Sequence, residues 1–262
     1  TGLMTAQNFI EALERTSGAV KAVLPVHMNG QSGDMIQISE LARERGIKII
    51  ADCCHALGAD YKAGGKPGDG QYEDFGTFSL HPVKSIAMGE GGVVTTNDSD
   101  VARRLYLLRG HAMEKVQTEW QHSDMAFGAD GAANPWYYEM QSLAYNYRAT
   151  DMQCALGLSQ LKKLDRFIEK RRQIAGWYDH YLASLNNRIK PIRRSDYAHS
   201  AWHLYPVLID FAGMQLDRGQ VMKALLARNV GTQVHYIPVS EQPYYRQRYG
   251  AQNLPGADQY YG

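Results

Sequence analysis

The chain has 262 residues, 44% hydrophobic and 21% charged, with 28 basic and 27 acidic side chains and a net charge of +1. That length suits one large domain or a large and a small one, and the balanced charge excludes a global pull toward nucleic acid or an anionic membrane. No apolar run approaches the roughly 20 residues that span a bilayer, and nothing resembles a signal peptide.

In chain order, TGLMTAQNFIEALERTSG reads as a loop running into an amphipathic helix. AVKAVLPVH (19–27) has the character of a buried strand. DMIQISELARERG (34–46) carries apolar residues at helical spacing, with Asp34 as the N-cap and Gly46 as the stop. IKIIADC (47–53), EDFGTFSL (73–80) and GGVVTTND (91–98) read as strands, followed by a helix over 98–110. Short apolar strands alternating with helices predict an α/β layer on a mostly parallel sheet.

Residues 111–148 are rich in Gly, Ala, Asn, Met and aromatics, without a sustained period, and read as an ordered excursion. Its aromatics Trp136, Tyr137 and Tyr138 are expected to pack at an interface. A continuous helical pattern then covers 149–185, and strand, helix and strand are expected over 203–211, 216–229 and 230–239. The expected organisation is a large domain over 1–148 and a linking helix with a smaller α+β domain over 149–262. The absence of an initiator Met and the ending at Tyr261-Gly262 are expected to mark a piece of a longer chain.

The three cysteines, Cys53, Cys54 and Cys154, make no disulfide framework: the count is odd and two are adjacent. The CCH triplet at 53–55 lacks the CxxC spacing that places two thiolates on one ion, so no metal site is expected and the thiols read as those of a reduced, cytoplasmic protein. Neither GxGxxG after a strand nor GxxxxGK[ST] occurs, and GEGG (89–92) alone is compatible with a turn. In open parallel sheets, ligands bind beyond the carboxyl ends of strands. Asp52 ends one expected strand, and the run from Ser79 to Lys84 leaves another, so a carboxylate, a hydroxyl and an amine are expected to face one crevice. Each has an ordinary alternative: a turn cap for Asp52 and a solvated surface lysine for Lys84.

Three blocks carry a resemblance: DCCHALGA (52–59), FSLHPVKSIAMGEGG (78–92) and YNYRATDMQCALGLSQLKKLDRF (145–167). In this order they resemble the signatures of the DegT/DnrJ/EryC1/StrS family, pyridoxal-phosphate-dependent nucleotide-sugar aminotransferases. The resemblance implies the aspartate aminotransferase-like fold (fold type I), with an incomplete large domain at the start and an incomplete small domain at the end. It implies pyridoxal 5′-phosphate as cofactor. The implied reaction moves an amino group from an amino acid, glutamate by expectation, to the 4-keto carbon of a UDP-linked deoxysugar, for pseudaminic acid or related surface-glycan biosynthesis.

By the same resemblance, Lys84 is the catalytic amine that holds the cofactor. Asp52 faces the cofactor's ring nitrogen, His55 lies near its ring and Ser79 binds its phosphate. Asn146 reaches the phosphate of a neighbouring subunit, which implies a homodimer with a shared active site. His55 as a core histidine and Asn146 as a helix cap are the alternatives. His81 either contacts substrate or supports the turn before Pro82, and His235 and Tyr236 are candidates to line the sugar pocket. Two other readings compete: a sugar dehydratase of the same family, in which a His replaces the lysine, and a non-catalytic cofactor-binding homologue.

Overall fold

The fold is a computed structural model that describes residues 1–185 and 187–262. Its first half runs α1 (Ala6–Arg15), β1 (Ala22–Val23), α2 (Met35–Glu44), β2 (Lys48–Asp52), β3 (Asp60–Tyr61), β4 (Phe75–Ser79), β5 (Gly92–Thr95) and α3 (Ser99–Leu108). The central sheet has the order β1-β2-β4-β5. β1, β2 and β4 are mutually parallel, and β5 returns antiparallel on β4. The expected strand over 19–27 is thus short, extended only by a bridge from Val26 to Asp52.

Local chemistry sets the helices. The Asp34 carboxylate accepts from the Gln37 N–H at 3.2 Å and starts α2. The chain leaves α2 through Gly46 at φ +63°, a conformation that favours glycine. Thr5 and Asn8 form a reciprocal cap on α1. Met35, Ile38 and Ala42 of α2 and Phe9 of α1 then pack on Val23, Ile47, Ile49 and Tyr61, covering one face of the sheet. Register follows: pairing Ile50 with Phe75 and Asp52 with Thr77 brings the carboxyl ends of β2 and β4 to one edge.

The excursion is ordered around two buried carboxylates. β6 (Met113–Glu114) pairs antiparallel with β7 (Glu139–Met140), so Glu114 and Glu139 stand opposite each other. Glu114 accepts from the Arg103 guanidinium and the Val116 N–H. Glu139 accepts from the backbone N–H groups of Gln121 and His122, the Tyr137 hydroxyl and the Gln141 amide. Burial pushes the Glu139 carboxyl up, but these donors outweigh it and hold it at about 2. A short helix, α4 (Ser123–Ala126), completes the segment.

The continuous helix expected over 149–185 is two helices, α5 (Asp151–Leu161) and α6 (Leu164–Leu182), separated at Lys162 and Lys163. Leu164, Phe167 and Ile168 of α6 pack on the segments leaving β2 and β4. β8 (Ile189–Pro191) pairs with β10 (Val207–Ile209), while β9 (Ala198–His199) crosses back to pair with β3. α7 (Arg218–Leu226), α8 (Pro243–Tyr249) and α9 (Pro255–Tyr261) follow. Among the described residues the strand expected over 230–239 is not formed: its apolar residues Val230, Ile237 and Val239 are exposed, so an extended run here buries no face. Among the described residues, no helix is long and apolar enough to cross a membrane.

Candidate active site

Beyond β2 the chain turns sharply. The Asp52 carboxylate accepts from the Cys54 N–H at 2.9 Å, and the Ala56 N–H donates to the Cys53 carbonyl at 2.8 Å. This tight turn sets His55 beside the strand end. Asp52 is itself anchored to the segment that continues β1, its N–H donating to the Pro25 carbonyl and its carbonyl accepting from the His27 N–H. Beyond β4, the Leu80 N–H donates to the Gly91 carbonyl and the Met88 N–H to the Leu80 carbonyl, closing residues 80–91 into a compact loop. Its buried Leu80, Ile86 and Met88 pack with Leu57, Leu164 and Phe167. Lys84, half-buried, is fixed by its N–H to the His81 carbonyl at 2.9 Å.

The Lys84 ammonium lies close enough to Cys54, His55, His203 and His235 to act on the proton affinity of each. The three imidazoles are neighbours. His55 has its ring centroid 4.3 Å from that of His203 and 5.3 Å from that of His235. Burial, reinforced by the Lys84 charge and by His235, lowers His55 to about 4 despite the opposing Asp52 carboxylate. Burial lowers His203 to about 3, with His55, Lys84, Arg171 and His235 adding to it. His235 is lowered by burial and by Lys84. All three are therefore neutral near pH 7. The Asn29 N–H donates to His55 Nδ1 at 3.3 Å, which assigns the remaining proton of the neutral ring to Nε2. Burial and the neighbouring Asp52 carboxylate raise the Cys54 thiol to about 11, so it stays protonated.

The structure thus brings Asp52, His55, Ser79, Lys84 and His235 to one end of the sheet. Ser79 ends β4, its Oγ accepting a long 3.4 Å hydrogen bond from the His81 N–H. The His81 side chain is engaged in its own turn, accepting from the Val83 N–H and lying 3.6 Å from Glu90. Tyr236 is exposed next to His235. Asn146 is not brought to this cluster. It is exposed at the end of the excursion, bridged to Gly110. His203 and Asn29 escape a reading from sequence: their neighbour His55 is far away along the chain, and HLYPVLIDF signals only a strand. Among the described residues, no group of three His, Cys, Asp or Glu could hold a metal ion.

The sequence profile of the DegT/DnrJ/EryC1/StrS aminotransferase family matches residues 1–262. The chain belongs to that family. It is 36% identical over 249 residues to a UDP-4-amino-4,6-dideoxy-N-acetyl-beta-L-altrosamine transaminase of Campylobacter jejuni, covering 95% of this chain and 60% of the relative. Helicobacter pylori PseC, described as an aminotransferase involved in the biosynthesis of pseudoaminic acid, superposes with a TM-score of 0.84 at 28% identity, over 99% of this chain and 63% of that one. The PLP form of Spr1654, a putative sugar aminotransferase of Streptococcus pneumoniae, gives 0.81 at 25% identity, over 100% and 65%. The chain spans about three-fifths of the length of the curated relatives it matches. As a member of this family, it has the aspartate aminotransferase-like fold of type I, a mixed sheet layered with helices.

Proposed function

We propose that the full-length protein is a pyridoxal-phosphate-dependent transaminase that aminates the 4-keto carbon of a UDP-linked deoxysugar, with glutamate as donor, in the manner of the altrosamine transaminases it resembles. The observation that carries this reading is the half-buried Lys84 amine among three neutral imidazoles at the strand end that holds Asp52. The fit to the cofactor rests on that donor set and on two buried imidazole nitrogens, His203 Nδ1 and His235 Nε2, that have no hydrogen-bond partner among the described residues. A lysine at position 84 favours the transaminase over the dehydratase, which has histidine there.

Pyridoxal phosphate, when bound, supplies an electron sink for charge that develops at the carbon losing its proton. Asp52 would face the cofactor's ring nitrogen and favour its protonated form by the charge of its carboxylate. Lys84 Nζ would hold the cofactor through its aldehyde and would serve as the base that accepts and returns a proton. Ser79 would offer its hydroxyl to the phosphate. The neutral His55 ring would lie near the cofactor, with His203 and His235 helping to exclude water. In our reading His235 and Tyr236 line the sugar pocket, His81 orders the turn that carries Lys84, and Asn146 completes the site of a partner subunit in a homodimer.

The test is product formation from a UDP-linked 4-keto sugar and glutamate. Full-length protein should form the amino sugar, and Lys84→Ala should lose turnover by ~10²-fold or more. Mixed Lys84→Ala and Asn146→Ala subunits should regain activity. Undiminished turnover in Lys84→Ala would refute the assigned amine, and mixtures without recovery would refute the shared site.

A further inference from the structure

One residue in this cluster has no role in the reading above beyond excluding water, yet its backbone is held from two sides. His203 is 8% exposed, and its Nδ1 is buried without a partner. Its backbone is fixed from two sides. The Arg171 guanidinium on α6 donates to the carbonyls of both Trp202 and His203 at 3.0 Å. On the other side, the Ala201 N–H donates to the Gly30 carbonyl at 3.0 Å. A stacked column of Tyr178, Tyr205 and Trp202, with centroid spacings of 4.8 and 5.5 Å, continues the support, and Tyr205 donates its hydroxyl to Asp179 at 2.7 Å.

All of this support ends at one contact. The His203 ring lies against His55 with centroids 4.3 Å apart and planes inclined by 35°. His55 has few other constraints: the 3.3 Å hydrogen bond from the Asn29 N–H, a weak one, and the neighbouring His235 ring. Asn29 and Gly30 sit in the same loop that the 200–203 segment grips, so one clamp fixes both the face of His55 and the donor to its Nδ1.

We propose that His203 is a positioning residue: its ring, carried on a backbone held by Arg171 and Gly30, backs His55 and orients that imidazole toward the Asn29 N–H, which sets its tautomer for contact with the cofactor. The contact with the cofactor rests on the function proposed above, whereas the positioning of His55 does not. A flat ring is what the position requires, so phenylalanine should serve there and a side chain without a ring should not.

The test uses full-length protein carrying His203→Ala, His203→Phe or, should the alanine variant not fold, His203→Gln as the ringless form. In cofactor-free protein near pH 7.5, ¹⁵N shifts of His55 should report the Nε2–H tautomer in the wild type and in His203→Phe, and a tautomer-averaged ring in the ringless form. The dissociation constant for pyridoxal phosphate should rise about tenfold in the ringless form and stay within about threefold in His203→Phe. Unchanged His55 shifts in a folded ringless variant would overturn the proposal, as would His203→Phe losing the tautomer along with it. Failure of the wild type to take up pyridoxal phosphate would count against the proposed function alone, because the tautomer is read without cofactor.

Discussion

Lys84 works beside imidazoles that refuse protons. Had His55, His203 and His235 ordinary affinities, they would gain charge on mild acidification and repel both one another and the amine. Burial keeps them neutral, as it does His27, 1% exposed, whose native affinity is lowered to about 4 by burial against the opposing pull of Asp52. The consequence for stability has a definite sign. Native affinities of about 4 for His27 and His55 and about 3 for His203 lie below the ordinary 6.5. As pH falls through 6.5, the unfolded chain therefore binds protons that the native chain does not, and stability present above that point is lost on acidification toward 4. The urea midpoint should drop between about pH 7.5 and about pH 5, with His27 alone contributing on the order of 2 kcal/mol. A midpoint that stays level or rises over that interval would contradict the burial of neutral rings. At this scale Asp52, Ser79 and Lys84 were legible because a strand end and a side-chain type suffice to nominate them. His203 was not, because its partner is set by a tertiary crossing that leaves no local pattern.

Two segments support the site from one side, the loop 27–33 and residues 195–203 around β9, joined by the Ala201 N–H to the Gly30 carbonyl. The Ser195 N–H donates to the Gln31 side chain at 2.7 Å, and the Ser195 hydroxyl donates to the Ser32 carbonyl. At their closest approach stands Gly30, with φ +90°, where a Cβ would lie 2.9 Å from the Trp202 nitrogen and 3.0 Å from the His55 carbonyl oxygen. Gly30→Ala should cost about 2 kcal/mol or more from strain and backbone collision together. Gly46→Ala meets open space at φ +63° and should cost only ~1 kcal/mol. Thermal melts of the two variants compare them directly, and equal shifts would refute the tight approach at Gly30. Helices with capping residues, such as α2, were readable from sequence. The break between α5 and α6 was not, since Lys162 and Lys163 carry no helix-stopping signal. The run at 230–239 looked like a strand because β-branched residues favour one, but its apolar side chains Val230, Ile237 and Val239 stay exposed and gain nothing from pairing.

At the scale of the whole molecule, the excursion and α5 present an apolar surface: Leu143 is 89% exposed and Met152 82%, with Met140, Tyr147 and Leu158 also exposed. Tyr145 and Tyr147 stack at 4.8 Å within it. Patches of this kind mark surfaces that another polypeptide covers. Asn146 is exposed between these two tyrosines, away from the Asp52–Lys84 cluster. The family's order of blocks made the fold type legible across the chain, while nothing local in the sequence marked this exposed apolar face. The proposed chemistry nonetheless turns on one residue, Lys84, as the amine that would hold the cofactor. Borohydride reduction of the full-length protein with pyridoxal phosphate, followed by peptide mass spectrometry, tests it most directly. A pyridoxyl group on Lys84, absent in Lys84→Ala, is the predicted result; a label confined to other lysines, or no label at all, would contradict it.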